Sequence, residues 1–437
     1  MAVTTVRDRL LRLSALTMIT GLVILTGCSS VRGDSARADP GVTSEPCPNA
    51  VDSTKGCIYL GVLSDLTRGP FAALGKDINN GQLAFWKSVN EAGGIGGKYE
   101  VDIASYTEDT AYELRKHAEA YQRIEPHVLA LAMSFGTVQT QQVLDQMDAA
   151  NMIAVAGTLW SGWQFENSDK GLLLESGYSY CSEAIIGLDW ISENTQTPDS
   201  IATVSYEGDY GGDYSTGAKK WASANRVDLV AQIETEPNTQ VGNQDAAVAK
   251  VLSAGADLVM LATGPAEAGE IMGKAALAGY RGRFLGSGPT YNGGLLKSPA
   301  ASTITTRYTM TSPLDGWDGT SAGAKKARAS ATLEPSTWGY SAGWMFSYPM
   351  KAVLTRAVIE NKVSRKGLRE AVNGLRVDYD GSIPEYVYGA PTPDLSRQRA
   401  IIEMPDQTAP LGARTLVTDY HGPTQERITL TEPCVQP

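Results

Sequence analysis

Two hydroxyl-bearing corners carry the clearest chemical signal in this chain. Residues 128–133 form a continuous apolar run of strand length. Ser134-Phe135-Gly136-Thr137 follows, and then Val138, Leu144 and Met147 recur at near-helical spacing. Residues 152–156 are apolar again and end in Ala156-Gly157-Thr158-Leu159-Trp160. A strand that feeds a helix leaves backbone N–H groups open at the helix start, where the helix dipole favours an anion. In open α/β sheets, ligands sit in the crevice beyond the carboxyl ends of the strands. Ser134 and Thr158 are therefore expected to grip an anionic or polar ligand. The competing reading is that both are helix caps or loop hydroxyls.

A second constellation suggests catalysis. Gly339-Tyr340-Ser341-Ala342-Gly343 fits G-x-S-x-G, and His421 lies downstream with Asp378, Asp380 and Asp419 available. That order suits a serine hydrolase with Ser341 as nucleophile and His421 as base. The context argues against it. A nucleophile elbow needs a strand immediately before it, whereas residues 324–337 are polar, Ala-rich and broken by Pro335. The three histidines, His117, His127 and His421, form no H-E-x-x-H or clustered spacing, so no metal is expected. The glycine-rich 93–98 follows a helix and precedes a strand, the wrong order for a phosphate loop. No cofactor and no catalytic residue are expected.

The elements that must position these corners repeat in two runs. In the first, strands are expected at 58–63 and 99–103 and helices at 76–92 and 110–124, before the opening stretch. In the second, helices at 184–192, 212–225, 243–254 and 266–278 alternate with strands at 201–206, 228–233, 257–262 and 284–286. Such alternation predicts parallel sheets with right-handed crossovers. Two runs of similar length predict two α/β lobes. A helical region is expected over 320–373. The last 60 or so residues are short strand-like pieces that pack back on the lobes, being too few for a core of their own.

Composition bounds the function further. The 437 residues are 42% apolar and 19% charged, with a net charge of −11. Residues 1–27 carry Arg7, Arg9, Arg12 and Asp8, so the remainder stands at about −13. That balance opposes nucleic acid and anionic membrane surfaces as partners. Residues 13–27 form an apolar stretch behind the basic start, shorter than the roughly 20 residues of a membrane span. It ends in Leu25-Thr26-Gly27-Cys28, which resembles a bacterial lipobox. The resemblance implies cleavage before Cys28, a lipid on its sulfur and a location on the outer side of the cell membrane. The alternative is an uncleaved anchor. Residues 28–56, rich in Ser, Asp, Pro and Gly, read as a flexible tether. The four remaining cysteines allow three pairings in an exported protein. Cys47 with Cys57 is preferred because they flank a turn-rich segment, which leaves Cys181 with Cys434.

Taken together, the chain resembles a type I periplasmic binding protein, of the branched-chain amino-acid-binding family that serves ABC transporters. The resemblance rests on Gly81, Ala84, Val89-Asn90 and Gly93-Gly94-Ile95-Gly96-Gly97. It is supported by Ser64-Asp65-Leu66-Thr67-Arg68-Gly69-Pro70, Tyr106-Thr107-Glu108-Asp109-Thr110 and Asp209-Tyr210-Gly211. It runs from about residue 58 to about residue 388. It implies two Rossmann-like lobes joined by three crossings, lobe 1 near 57–179 plus 313–376 and lobe 2 near 180–312 plus 377–434. It also implies a monomer without enzymatic activity that delivers a small ligand to an ABC permease. A ligand-sensing receptor without transport would use the same clamp.

The family pattern implies that Ser134, the Ala156 backbone and Thr158 hold the ligand's carboxylate. Phe135, Gly136 and Gly157 then line the same corners, Leu74 covers the ligand from lobe 1, and Tyr210 meets it from lobe 2. Two departures stand out. The acid that binds the ligand's amine would fall near Gly288, and a lobe 2 aromatic near Gly264-Pro265; neither is present. A buried ammonium without a partner costs several kcal/mol. An ordinary α-amino acid should therefore bind poorly, unless Glu207 or Asp209 supplies the charge; a solvated acidic loop is the alternative there. Trp160 and Trp163 directly follow Thr158, so the ligand is expected to have an aromatic, planar or extended apolar part. Tyr291 and Trp317 are weaker candidates, placed by loop position alone.

Overall fold

The computed structural model describes residues 39–238, 243–389 and 399–436. The expected signal segment, Cys28 and the first part of the tether lie outside the described residues.

Two seven-stranded sheets organise the molecule. The first contains β1 (Val42–Thr43), β2 (Gly56–Ser64), β3 (Tyr99–Asp102), β4 (Thr107–Asp109), β5 (Ala130–Ser134), β6 (Ala154–Ala156) and β7 (Leu173–Leu174). Its order is β1-β2-β5-β6-β7, with β3 and β4 also paired to β2. All its pairings are parallel except that of β1. Residues 128–133 and 152–156 are essentially inaccessible to solvent. Strands of a parallel sheet are covered on both faces by helices, so a continuous apolar run is the pattern they require.

The second sheet is built from β8 (Ser200–Tyr206), β9 (Asp228–Thr235), β10 (Leu258–Ala262), β11 (Arg283–Gly286) and β12 (Tyr308–Ser312). A two-stranded antiparallel pair, β13 (Arg376–Val377) and β14 (Tyr386–Val387), stands apart. Then β15 (Ala400–Pro405) and β16 (Ala413–Tyr420) extend the second sheet to the order β16-β15-β12-β11-β10-β8-β9. The final segment does pack back, but as two antiparallel strands on an otherwise parallel sheet. The short connection 406–412 dictates that β16 runs antiparallel to β15, because only antiparallel neighbours can be joined by so few residues.

Three helices of the first lobe matter most for the site: α1 (Ala72–Glu91), α2 (Leu114–Ile124) and α3 (Thr137–Ala149). Helix α1 begins four residues before the expected 76 and packs along the helix Gly339–Ile359. Their backbones touch at glycines. A Cβ on Gly81 would lie 2.1 Å from the Tyr340 carbonyl oxygen, and one on Gly343 would lie 1.9 Å from that of Ile78. The G-x-S-x-G sequence is thus a helix–helix contact. Ser341 is buried inside that helix, while His421 is exposed beside Asp419, after β16.

Part of the expected tether is folded. Val42 and Thr43 pair with Ile58 and Cys57 of β2, and Cys47 is buried in a disulfide with Cys57. The backbone amides of Val51 and Asp52 donate to the Glu100 carboxylate at 2.9 and 2.7 Å. A second disulfide joins Cys181 to Cys434. It fixes the chain's last residues at the helix Tyr180–Asn194 of the second lobe. From there the Cys434 amide donates to the Ser161 hydroxyl of the first lobe at 2.8 Å, and the Trp160 indole donates to the Val435 carbonyl at 3.1 Å.

Candidate functional site

A cavity with about 490 Å³ of empty space, its open mouth included, lies between the two lobes, at the carboxyl ends of β5 and β6. From the first lobe, Phe71, Leu74, Tyr112 and Phe135 form one wall, and Gly136, Thr137, Gly157 and Thr158 form its polar end. Tyr180, Tyr210 and Pro289 close it from the second lobe, and Trp338 and Phe346 complete it from the helix Gly339–Ile359 and the residue before it. None of these lining side chains is charged.

Local chemistry explains how these groups reach the cavity. In the loop after β2, the buried Asp65 carboxylate accepts from the amides of Gly69 and Phe71, both at 2.9 Å, which turns Phe71 inward. Burial holds the Asp65 carboxyl above the usual range. Ala111 and Tyr112 adopt φ of 49° and 61°, backbone strain of the kind stored at functional sites. The Tyr112 carbonyl is held by the Gln139 amide at 2.9 Å. On α1, the Asp77 carboxylate accepts from the amides and hydroxyls of both Ser336 and Thr337 at 2.7–2.9 Å, which fixes the turn that presents Trp338.

The polar end is the start of α3. Gly136 has φ 98°, and a Cβ there would lie 2.1 Å from Gln139 Oε1, so only glycine fits. No side chain caps this helix start. Thr137, its first residue, shares a 2.5 Å hydrogen bond with the Thr158 hydroxyl. Trp163 Nε1 donates to Thr158 Oγ1 at 3.1 Å. One hydroxyl proton bridges the two threonines, and the other can turn to a ligand. The helix dipole adds positive potential at the same point.

The expected site residues divide accordingly. Leu74, Phe135, Gly136, Gly157, Thr158 and Tyr210 all line the cavity. Ala156 ends β6 behind that wall, paired with Ser134. Ser134 itself does not line the cavity. Its hydroxyl is buried inside the first lobe, 3.2 Å from His117 Nε2 and 2.7 Å from Thr140 Oγ1. The strand's alternation turns this side chain away, and Thr137 is the hydroxyl that this corner presents. Trp160 is packing: its ring covers Gly162, where a Cβ would meet it at 2.2 Å, and its N–H is bonded to the tail. Trp163 acts on the site only through Thr158.

Glu207 is exposed and off the cavity wall; the Asp209 side chain lies outside the described residues. Gly264 sits beside the cavity where the lobes meet, its Cβ position 3.2 Å from Pro70. The inward aromatics Phe71, Tyr112, Tyr180 and Trp338 escaped sequence reasoning because each sits in a loop or at a helix start, where no periodicity marks a facing side. Phe71 meets Tyr210 edge-on, ring centroids 5.9 Å apart, and Tyr210 meets Tyr180 at 4.7 Å. The Phe71–Tyr210 contact crosses the cleft, as does that of Phe71 with Tyr206 at 6.1 Å, so the lobes are closed on each other.

At Gly288, where the family pattern would place an amine-binding acid that this chain lacks, another acid is held behind the cavity wall. Glu183 accepts from the Gly288 amide at 2.8 Å, Ser287 Oγ at 2.8 Å, Tyr178 OH at 3.1 Å and Thr311 Oγ1 at 2.5 Å. Its carboxyl is used to fix the loop that carries Pro289. Burial pushes it up to about 7. The folded state therefore holds this proton where the unfolded chain, near 4.5, has released it. The resulting stability is complete below pH 4.5 and is lost as pH rises through 7. Relative to the wild type, Glu183→Gln should gain stability from pH 4.5 to 7 and stay level above; urea unfolding at pH 5, 6, 7 and 8 measures it. Among the described residues, no group of three His, Cys, Asp or Glu side chains could hold a metal ion.

Comparison with known proteins agrees with this architecture. A family profile described as periplasmic binding protein matches residues 57–408. No curated protein matches the sequence. Among solved structures, the chain is similar to a fatty acid ABC transporter substrate-binding protein from Thermomonospora curvata: TM-score 0.79, 21% identity, covering 90% of this chain and 97% of that one. It is also similar to a branched chain amino acid ABC transporter structure from Thermus thermophilus with bound valine: TM-score 0.70, 13% identity, 85% and 98% coverage. A third is a solute binding protein from Rhodopseudomonas palustris BisB5 in complex with 3,4-dihydroxybenzoic acid: TM-score 0.67, 16% identity, 84% and 98% coverage.

Proposed function

Because the chain belongs to the periplasmic binding protein family, the match spanning 57–408, we propose that it captures a carboxylate with an apolar body and no amine, and hands it to an ABC permease. One observation carries this reading. The cavity joins aromatic and aliphatic walls to a polar end made of two threonine hydroxyls and an uncapped helix start, with no charged side chain on its lining. Such an end suits a carboxylate, whereas an ammonium group would be buried without a counter-charge at a cost of several kcal/mol. The names of two similar structures, one for fatty acids and one with a dihydroxybenzoate, point the same way.

The N-terminal sequence supports export and lipidation at Cys28, which would tether the body to the outer side of the cell membrane. The lobes would run over 57–179 plus 313–376, extended through β13 and β14, and over 180–312 plus the residues from β15 on. They would close as Phe71 meets the tyrosines of the second lobe.

Isothermal titration of the purified body with decanoate, phenylacetate, benzoate and leucine tests the reading. At least one amine-free carboxylate should bind tighter than leucine by about tenfold or more, each tenfold being about 1.4 kcal/mol. Leucine binding as tightly as all of them would refute it.

A further inference from the structure

Trp338 separates the cleft from a second, partly open pocket, with about 480 Å³ of empty space counting its mouth, which it also lines. The other walls of this space include Tyr291, Trp317, Met310 and Leu411, and two acids line it, the buried Glu403 and, at its mouth, the exposed Asp318. Glu403, on β15, is 8% exposed. Its carboxylate accepts a long hydrogen bond, 3.5 Å from Thr415 Oγ1 to Oε1. No Lys, Arg or His lines the cavity. The neighbouring Arg328 guanidinium is committed to the carbonyls of Trp317 and Gly319, and Arg414 pairs with Asp406 at 3.3 Å. A buried carboxyl thus lines this pocket with no cationic side chain beside it, which is costly unless something supplies a counter-charge. Burial, with Asp318 and Asp315 close by, pushes the Glu403 carboxyl up to about 7, so the site is short of positive charge.

We propose that this cavity is a second binding site, for a small organic ammonium ion, with the Glu403 and Asp318 carboxylates as counter-charges and the Trp317, Trp338 and Tyr291 rings as its walls. Aromatic faces attract a desolvated cation through their ring quadrupole, and an ammonium on an apolar body satisfies rings and carboxylates together. A hard divalent metal ion would instead require six or more oxygen ligands, which two carboxylates among indole and phenol rings do not offer. The proposal is independent of what the cleft binds.

Choline and n-butylammonium are titrated calorimetrically into the disulfide-intact chain. At least one should bind the wild type. Glu403→Gln, which keeps the side chain's shape, should weaken that binding about tenfold or more, while decanoate affinity stays within about twofold, tenfold being about 1.4 kcal/mol. Trp317→Ala, away from the buried acid, should weaken it about threefold or more, on the scale of one cation–aromatic contact. The pair Thr137→Val with Thr158→Val should leave it unchanged. The proposal is overturned if neither cation binds the wild type, if Glu403→Gln binds as the wild type does, or if the threonine pair abolishes binding, which would put the cation in the cleft.

Discussion

Valine at both Thr137 and Thr158 is expected to weaken carboxylate binding by about 1.5–3 kcal/mol, roughly 10- to 150-fold, the worth of one hydrogen bond to a charged group. The two hydroxyls are 2.5 Å apart, so one proton is spent between them and one remains for the ligand. Either single valine variant frees the surviving hydroxyl's proton for the ligand. Each should therefore cost less than about fivefold, with the double variant exceeding the sum, as expected for groups that share a proton. Titration of the four proteins with the best carboxylate reads this directly. Equal and additive losses would mean that each threonine donates separately. Ser134→Ala is the control. Its hydroxyl is locked between His117 and Thr140, so affinity should hold within about twofold while stability falls by about 1 kcal/mol.

Gly343→Val is expected to cost about 3 kcal/mol or more of folding stability. Overpacking a well-filled contact costs about 1–3 kcal/mol, occasionally more, and here the obstacle is backbone. A Cβ at Gly343 would lie 1.9 Å from the Ile78 carbonyl oxygen, and one at Gly339 would lie 2.5 Å from that of Leu74. Either α1 or its partner helix must move away, and Leu74 and Phe346 of the cavity wall ride on those two helices. Chemical denaturation measures the loss; a midpoint unchanged from wild type would show that the helices can part freely.

Much of the architecture was legible in the residues. The apolar runs at 128–133 and 152–156 specify buried parallel strands and the alternation after 180 specifies further parallel ones, and they appear where expected, with β9 a largely exposed edge strand. That two adjoining strand-to-helix corners open onto one cavity was also readable, because a strand ending in a small-residue turn before a helix has few other uses. Which hydroxyl faces the cavity was not. Strand side chains alternate, so the choice between Ser134 and Thr137 depends on where the strand stops and the helix starts, a boundary of one or two residues. Trp160 misled for a related reason. Its ring is drawn onto Gly162, a contact that a loop sequence does not announce. The antiparallel end of the second sheet was hidden because the run at 400–405 reads the same in either direction. Acids were the hardest. Glu183 and Asp77 look like ordinary surface charges of helices, and only the fold shows them collecting amides and hydroxyls from distant loops.

The tail described above has a mechanical consequence. Its hold on Ser161 and Trp160 consists of two hydrogen bonds, too weak for a loose chain end to keep. The Cys181–Cys434 link confines that end within a few ångströms of its seat, which gives it a high effective local concentration and lets it reseat after each excursion. In an oxidising surrounding the tail should therefore act as a latch that favours the shut clamp. In a reducing one, the same residues should drift off and the empty clamp should gape more often.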